Sequence, residues 1–189
     1  MKGLEKFQNL VDALMQLPSV GKKSATRFAY HLVLQDPFSA LKLSHAIENA
    51  ISSIKKCTIC GGISEDEICE ICHDEDRISS KLCIVESAKD ILVIEDSASY
   101  DGRYFVLESV EEESIRKLKE LVSKDEVKEI IFALTPSLSN DSIILFVEDK
   151  LKEFDITFTK IAQGVPTGVT LENVDMLSLS KALNDRVKV

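Results

Sequence analysis

Membrane-crossing and nucleotide-driven functions are the first to be excluded, because this chain of 189 residues lacks the segments they need. No stretch approaches the roughly 20 apolar residues of a bilayer span. The opening Met1-Lys-Gly-Leu-Glu5 has no apolar core of the kind a signal peptide carries. No Gly-x-x-x-x-Gly-Lys-Ser/Thr segment is present to cradle nucleotide phosphates. Tyr30, Tyr100 and Tyr104 stand in no evident nucleophile motif, and packing accounts for them. The expectation is a soluble cytoplasmic protein. In that reducing setting disulfides are disfavoured, so the five cysteines point to metal ligation instead.

The length suits one large or two small domains, each able to bury a core. A composition of 44% hydrophobic and 29% charged residues fits a globular chain. The net charge of −9 argues superficially against a nucleic-acid partner. That total hides a split. Residues 1–56 hold eight Lys and Arg against four Asp and Glu, a balance of +4, whereas residues 57–189 hold fifteen against twenty-eight, a balance of −13. A basic module is joined to an acidic one.

In the basic part, Leu4, Phe7, Leu10, Val11, Leu14 and Leu17 recur at helical spacing, predicting a helix over 3–17 that stops before Pro18. Ala25, Phe28, Ala29, Leu32 and Val33 mark a second helix. Leu41, Ile47, Ala50, Ile51 and Ile54 mark a third over 39–54, and the three are expected to pack as a small bundle. The first two are joined by Leu17-Pro-Ser-Val-Gly-Lys-Lys-Ser-Ala25, which sets a tight turn, Gly21 and two lysines at a helix N-terminus. Free backbone N–H groups, the positive end of the helix dipole, and the charges of Lys22, Lys23 and Arg27 together suit phosphate. The segment resembles the helix-hairpin-helix motif of DNA-binding proteins that do not read sequence, with Ser19 where the motif carries its first glycine.

Residues 57–76 hold almost nothing to build a core, since Gly61-Gly62 and Glu65-Asp66-Glu67 fill much of the stretch. They do hold Cys57-x-x-Cys60, eight residues, then Cys69-x-x-Cys72. Two thiolate pairs at that spacing close a tetrahedron around one structural zinc, whose binding supplies the missing stability. Four thiolates leave no open position for water, so no catalysis is expected of this ion. A redox-active Cys-x-x-Cys is the alternative, but it needs only one pair. His73 is read as solvated, His31 and His45 as helix residues without ligand partners, and Cys83 as a buried, inert thiol.

From Leu82 the pattern becomes apolar runs alternating with amphipathic helices. Strands are predicted at 82–86, 104–107, 129–134 and 156–161, with helices at 88–94, 111–122 and 140–153. Such alternation implies a mainly parallel sheet covered by helices, with any site at the C-terminal strand ends. Glu86 lies at such an end. Leu82-Cys-Ile-Val-Glu-Ser87 resembles the first strand of the Toprim domain, in which the glutamate acts as acid or base and an Asp-x-Asp pair binds magnesium. The matching place here reads Ala133-Leu-Thr-Pro-Ser137 and lacks both aspartates. Asp141 and Glu148 follow farther on. The structural reading of Glu86 is that it hydrogen-bonds loop backbone.

The fold class expected is therefore multi-part α+β: a helical helix-hairpin-helix module over 1–56, a four-cysteine zinc finger over 57–80, a Toprim-like α/β domain over 81–165, and an oligomerisation segment over 166–189. In that order and at this length, the set resembles the RecR family of recombination mediators, supported also by Gly102-Arg-Tyr-Phe-Val-Leu107 and Gly164-Val-Pro-Thr-Gly168. Two glutamates of that family's acidic run are here Ser139 and Asp141, so Glu86 and Asp141 are what remains of an acidic Toprim-like or partner site.

The resemblance implies a non-enzyme that binds DNA at single-stranded gaps and assists RecA loading with RecO and, in many bacteria, RecF. It also implies one zinc per chain, a homo-oligomer such as a dimer or a tetrameric ring, and a cytoplasmic, nucleoid-associated location. Self-association is expected through the N-terminal helices or the segment from Leu171 to Leu183. The competing readings are a magnesium-dependent Toprim nuclease or topoisomerase-like enzyme, and a zinc-ribbon adaptor that binds only protein.

Overall fold

The apolar repeat from Leu4 to Leu14 folds, in the computed structural model, into α1 (Glu5–Leu14), with Glu5 placed to complement the helix dipole. The structure describes residues 3–162 and 164–184 and divides into two compact units between Ile54 and Lys55. In the first, α1 is followed by α2 (Lys22–Tyr30), a π-type turn at His31–Gln35, and α3 (Pro37–Ser53). The small Ala25 and Ala29 of α2 are fully buried, which lets α1 approach closely. Val11 fills the contact, with Phe7, Leu10, Leu14 and Val20 around it.

The expected three-helix bundle does not close. Asp36 caps α3 by accepting from the Ser39 N–H at 3.0 Å, and Pro37 occupies its first turn, so the helix begins well. Yet α3 buries none of its residues, and Phe38 and Ile51 are 77% and 78% exposed. Periodicity showed an apolar stripe; it did not show what covers it.

The second unit begins with a hairpin of β1 (Lys55–Lys56) and β2 (Ile63–Ser64), then a short α4 (Glu70–His73). The alternating elements follow: β3 (Ile78–Val85), α5 (Ala88–Asp96), β4 (Gly102–Val106), α6 (Glu112–Lys124), β5 (Glu129–Ala133), α7 (Leu138–Leu151) and β6 (Thr157–Lys160). A 3-10 turn at Leu171–Asn173 and α8 (Met176–Asn184) complete the described residues. The four longer strands form one parallel sheet in the order β4-β3-β5-β6. The fold class is the one expected.

Both faces of the sheet are covered, which is why Leu82 to Val85 read as an unbroken apolar run. On one face Leu82, Ile84, Ile130 and Phe132 pack with Leu118 and Val122 of α6 and Val147 and Leu151 of α7. On the other, Cys83, Val85 and Tyr104 pack with Ile91 of α5 and Ile71 of α4. The chain leaves β3 toward β4 on one side and reaches β5 on the other. The C-terminal end of β3, where Glu86 and Ser87 follow, is thus the switch point at which such sheets place their sites. No helix among the described residues is long and apolar enough to cross a membrane. Residues 185–189 of the expected oligomerisation segment lie outside the described residues; within it, Met176 and Leu177 are exposed.

Candidate functional site

The turn before α2 is closed by the Val20 N–H donating to the Leu17 carbonyl at 3.2 Å, with Pro18 and Ser19 as its central residues. Ser19 has φ +64°, at the position where a turn with proline first calls for glycine. The motif's glycine has a conformational reason here, and this chain meets it with a strained serine. Gly21 caps α2 in an extended conformation, and a Cβ added there would have nothing within 4 Å. The approach to the helix end is open.

No side chain caps that end, and the first intrahelical bond runs from the Ala25 N–H to the Gly21 carbonyl at 3.0 Å. The N–H groups of Lys22, Lys23 and Ser24 therefore lack helical acceptors. Lys22, Lys23 and Arg27 are exposed, and among the described residues none of the three makes a salt bridge. Arg27 lies over the Phe28 ring, 5.6 Å from its centroid. Dipole, free donors and the two lysines meet at this helix end and suit phosphate, while Arg27 stands in the last turn of the same helix.

The four cysteines come together as their spacing predicts. Cys57, Cys60, Cys69 and Cys72 are all buried, and their sulfurs lie within 4.8 Å of one another, with Cys60 and Cys69 at 3.6 Å. A tetrahedron with Zn–S bonds near 2.3 Å has edges of about 3.8 Å, so the donor set fits one structural zinc. Backbone N–H groups orient the sulfurs: Gly62 donates to the Cys60 Sγ and Cys69 to the Cys57 Sγ, each at 3.3 Å. As free thiols Cys60 and Cys69 do not ionise together. A hydrogen bond from Cys72 pulls Cys60 down to about 6, while burial pushes Cys69 up to about 11. A bound cation is what makes four thiolates tolerable in one place. His73 is exposed and stands outside the set.

This metal centre is built onto the sheet. The Cys60 carbonyl accepts from the Val106 N–H of β4 at 2.8 Å, continuing the edge strand's hydrogen bonding into the zinc knuckle. Gly61, at φ +76°, lies so close that a Cβ would stand 3.2 Å from the Val106 Cβ. Ile59 and Ile71 each pack against both the cysteine cluster and one face of the sheet core. The zinc segment belongs to the larger unit.

At the switch point Glu86 is fully engaged. One carboxylate oxygen accepts from the Thr135 N–H at 2.6 Å and from the Asn140 side-chain amide, the other from the Thr135 hydroxyl at 3.3 Å. Asn140 also donates to the Thr135 carbonyl at 2.7 Å, and its own N–H is capped by Ser137 at 3.1 Å. Asp141, one residue on, turns to Lys160 at 3.8 Å. The two carboxylates are thus engaged with different partners. Among the described residues no group of three or more ligating side chains converges except the four cysteines. Thr135 and Asn140 were missed in the sequence. The signal was the absence of aspartate at 135, which leaves a strand-end glutamate in need of donors.

Comparison with known proteins returns the same three parts. Family models match for the RecR helix-hairpin-helix over residues 7–51, the RecR four-cysteine zinc finger domain over 54–74, and the Toprim domain over 80–162. The chain is 63% identical over 190 residues, covering both chains in full, to Recombination protein RecR of Nitratiruptor sp.. It is 54% identical over 189 residues, again covering both chains in full, to Recombination protein RecR of Campylobacter jejuni serotype O:23/36. To Recombination protein RecR of Helicobacter pylori strain HPAG1 it is 53% identical over 185 residues, 98% of this chain and 96% of the other.

Proposed function

The chain belongs to the RecR family, and we propose that it serves recombinational DNA repair as a non-catalytic DNA-binding mediator, assisting recombinase loading at single-stranded gaps. The observation that carries this is the open N-terminus of α2, where Gly21, Lys22 and Lys23 present free backbone donors and positive charge, with Arg27 adding charge farther along the same helix. Phosphate contacts of that kind position nucleic acid without reading its sequence. The acidic remainder of the chain repels stray DNA and confines it to the basic module.

In this reading the partners are DNA, RecO and, as in many bacteria, RecF, with RecA reached indirectly, in the cytoplasm at the nucleoid. The parts divide the work as 1–56 for DNA, 57–80 for the zinc, 81–165 for the Toprim-like domain and 166–189 for self-association. The uncovered apolar stripe of α3 and the exposed Leu171, Met176 and Leu177 support a homo-oligomer, a dimer or a ring of four. Catalysis is not part of the proposal, because Glu86 accepts hydrogen bonds where a Toprim enzyme's glutamate would work beside magnesium.

The test is binding of gapped DNA to wild-type protein and to the Lys22→Glu/Lys23→Glu variant across a salt series, with magnesium present and strand integrity scored in the same tubes. The expected result is intact DNA, weaker binding by the variant, and a log–log salt slope shallower by about 1 to 2. Unchanged affinity and slope would remove the α2 terminus as the contact. Cut or relaxed DNA that disappears with Glu86→Gln would restore the enzyme reading.

A further inference from the structure

Helices α6 and α7 cover the same face of the sheet but leave a cleft of about 540 Å³ between them on their outer side. Its floor is apolar: Val110 and Phe146 remain 40% and 38% exposed there, beside the better buried Ile115. Its rim carries Arg116 and Lys119 from α6 and Lys150 from α7, against a single acid, Glu112. That balance runs opposite to the domain around it, which holds fifteen basic residues against twenty-eight acidic ones from residue 57 onward.

The rim cations differ in how far they are committed. Lys119 donates to Glu153 at 2.6 Å. Arg116 makes no salt bridge or side-chain hydrogen bond among the described residues, although Glu113 lies close enough to feel its charge. Lys150 lies over the Phe146 ring at 5.2 Å and makes no salt bridge among the described residues, although Asp149 lies close enough to feel its charge. An aromatic ring, the ammonium that covers it and a guanidinium fork without a salt bridge thus sit together over an apolar floor.

From this juxtaposition we propose that the α6–α7 cleft docks a segment of a protein partner bearing carboxylates beside an apolar side chain. The apolar group fills the floor against Val110, Ile115 and Phe146, and the carboxylates meet Arg116, whose planar fork suits them, and Lys150. Charge also separates this occupant from nucleic acid. A short acidic segment can meet Arg116 and Lys150 directly, past the nearby Glu113, Asp149 and Glu153, whereas a long polyanion also meets the acidic domain beyond the rim.

The experiment pans a library of random twelve-residue peptides on the full-length protein at about 0.15 M salt, near physiological ionic strength. Peptides enriched there are synthesised with a fluorophore and titrated by anisotropy. Enrichment of carboxylates flanking aliphatic or aromatic residues is expected, with affinity falling at least about tenfold for Arg116→Glu/Lys150→Glu and for Phe146→Ala. Gapped-DNA binding should be the same in both variants. Neither charge substitution breaks a salt bridge, and a melting curve confirms that each variant folds. No enrichment of such peptides, or enrichment that both variants retain, overturns the proposal. Weaker DNA binding by Arg116→Glu/Lys150→Glu with peptide binding intact also overturns it and gives the cleft to nucleic acid.

Discussion

Replacing Glu86 by glutamine separates a structural carboxylate from a catalytic one. The wild-type side chain accepts from the Thr135 N–H at 2.6 Å, the Thr135 hydroxyl at 3.3 Å and the Asn140 amide. Glutamine can set its one oxygen where the shared carboxylate oxygen stands, keeping the Thr135 N–H and the Asn140 amide, and turn its NH2 to the Thr135 hydroxyl, which rotates to accept. What is lost is the charge on those bonds, each of which falls from about 1.5 to 3 kcal/mol toward the roughly 0.5 to 1.5 kcal/mol of a neutral pair. The site is only half-buried, so the total is about 1 to 2 kcal/mol. For a unit of this size that lowers the melting temperature by about 3 to 8 °C. The assay is thermal unfolding followed by circular dichroism in zinc-saturated buffer, with and without magnesium. A drop of that size, the same in both buffers, is expected. Unchanged melting would refute the network's structural role, and a magnesium-dependent stabilisation present only in wild type would mark Glu86 as a metal ligand.

Ser19→Gly should stabilise the first unit by about 0.5 to 1 kcal/mol, because it relieves the left-handed backbone at φ +64° and gives back only part of that gain to glycine's unfolded-state entropy. Urea denaturation of the full chain measures this, and a neutral or destabilising result would mean the turn holds no strain there. Zinc removal by a chelator, or Cys57→Ser, should accelerate exchange of the Val106 amide, which donates to Cys60 at 2.8 Å, far more than that of Ile130 in the middle of the sheet. Equal protection of Val106 with and without zinc would disprove the coupling. Acidification should release the ion, since protons compete for all four sulfurs.

How much could be read from the sequence depended on whether a feature was local. The strand and helix positions of the larger unit lie within a few residues of expectation, because Leu82 to Val85 and Ile130 to Ala133 are apolar runs bounded by clear breaks. The cysteines were legible for the same reason, as two pairs at a spacing that only a metal explains. The covering of α3 was not legible. An amphipathic pattern reports that a face is apolar and says nothing about its partner, and residues 37–53 bury no side chain. The partners of Glu86 were hidden too, because Thr135 and Asn140 lie 49 and 54 residues away and become neighbours only when β5 is laid beside β3.

The bond network at Glu86 also bears on how such a fold changes over generations. A carboxylate placed at position 135, where an N–H and a hydroxyl now point at Glu86, would set two negative groups against each other unless a divalent ion stood between them. It would also cost the hydroxyl bond, while the backbone N–H and carbonyl of residue 135 keep theirs to Glu86 and Asn140. A single step toward a paired-carboxylate metal site is therefore unfavourable by itself, and the gain waits on further ligands. The network resists acquiring an ion one residue at a time.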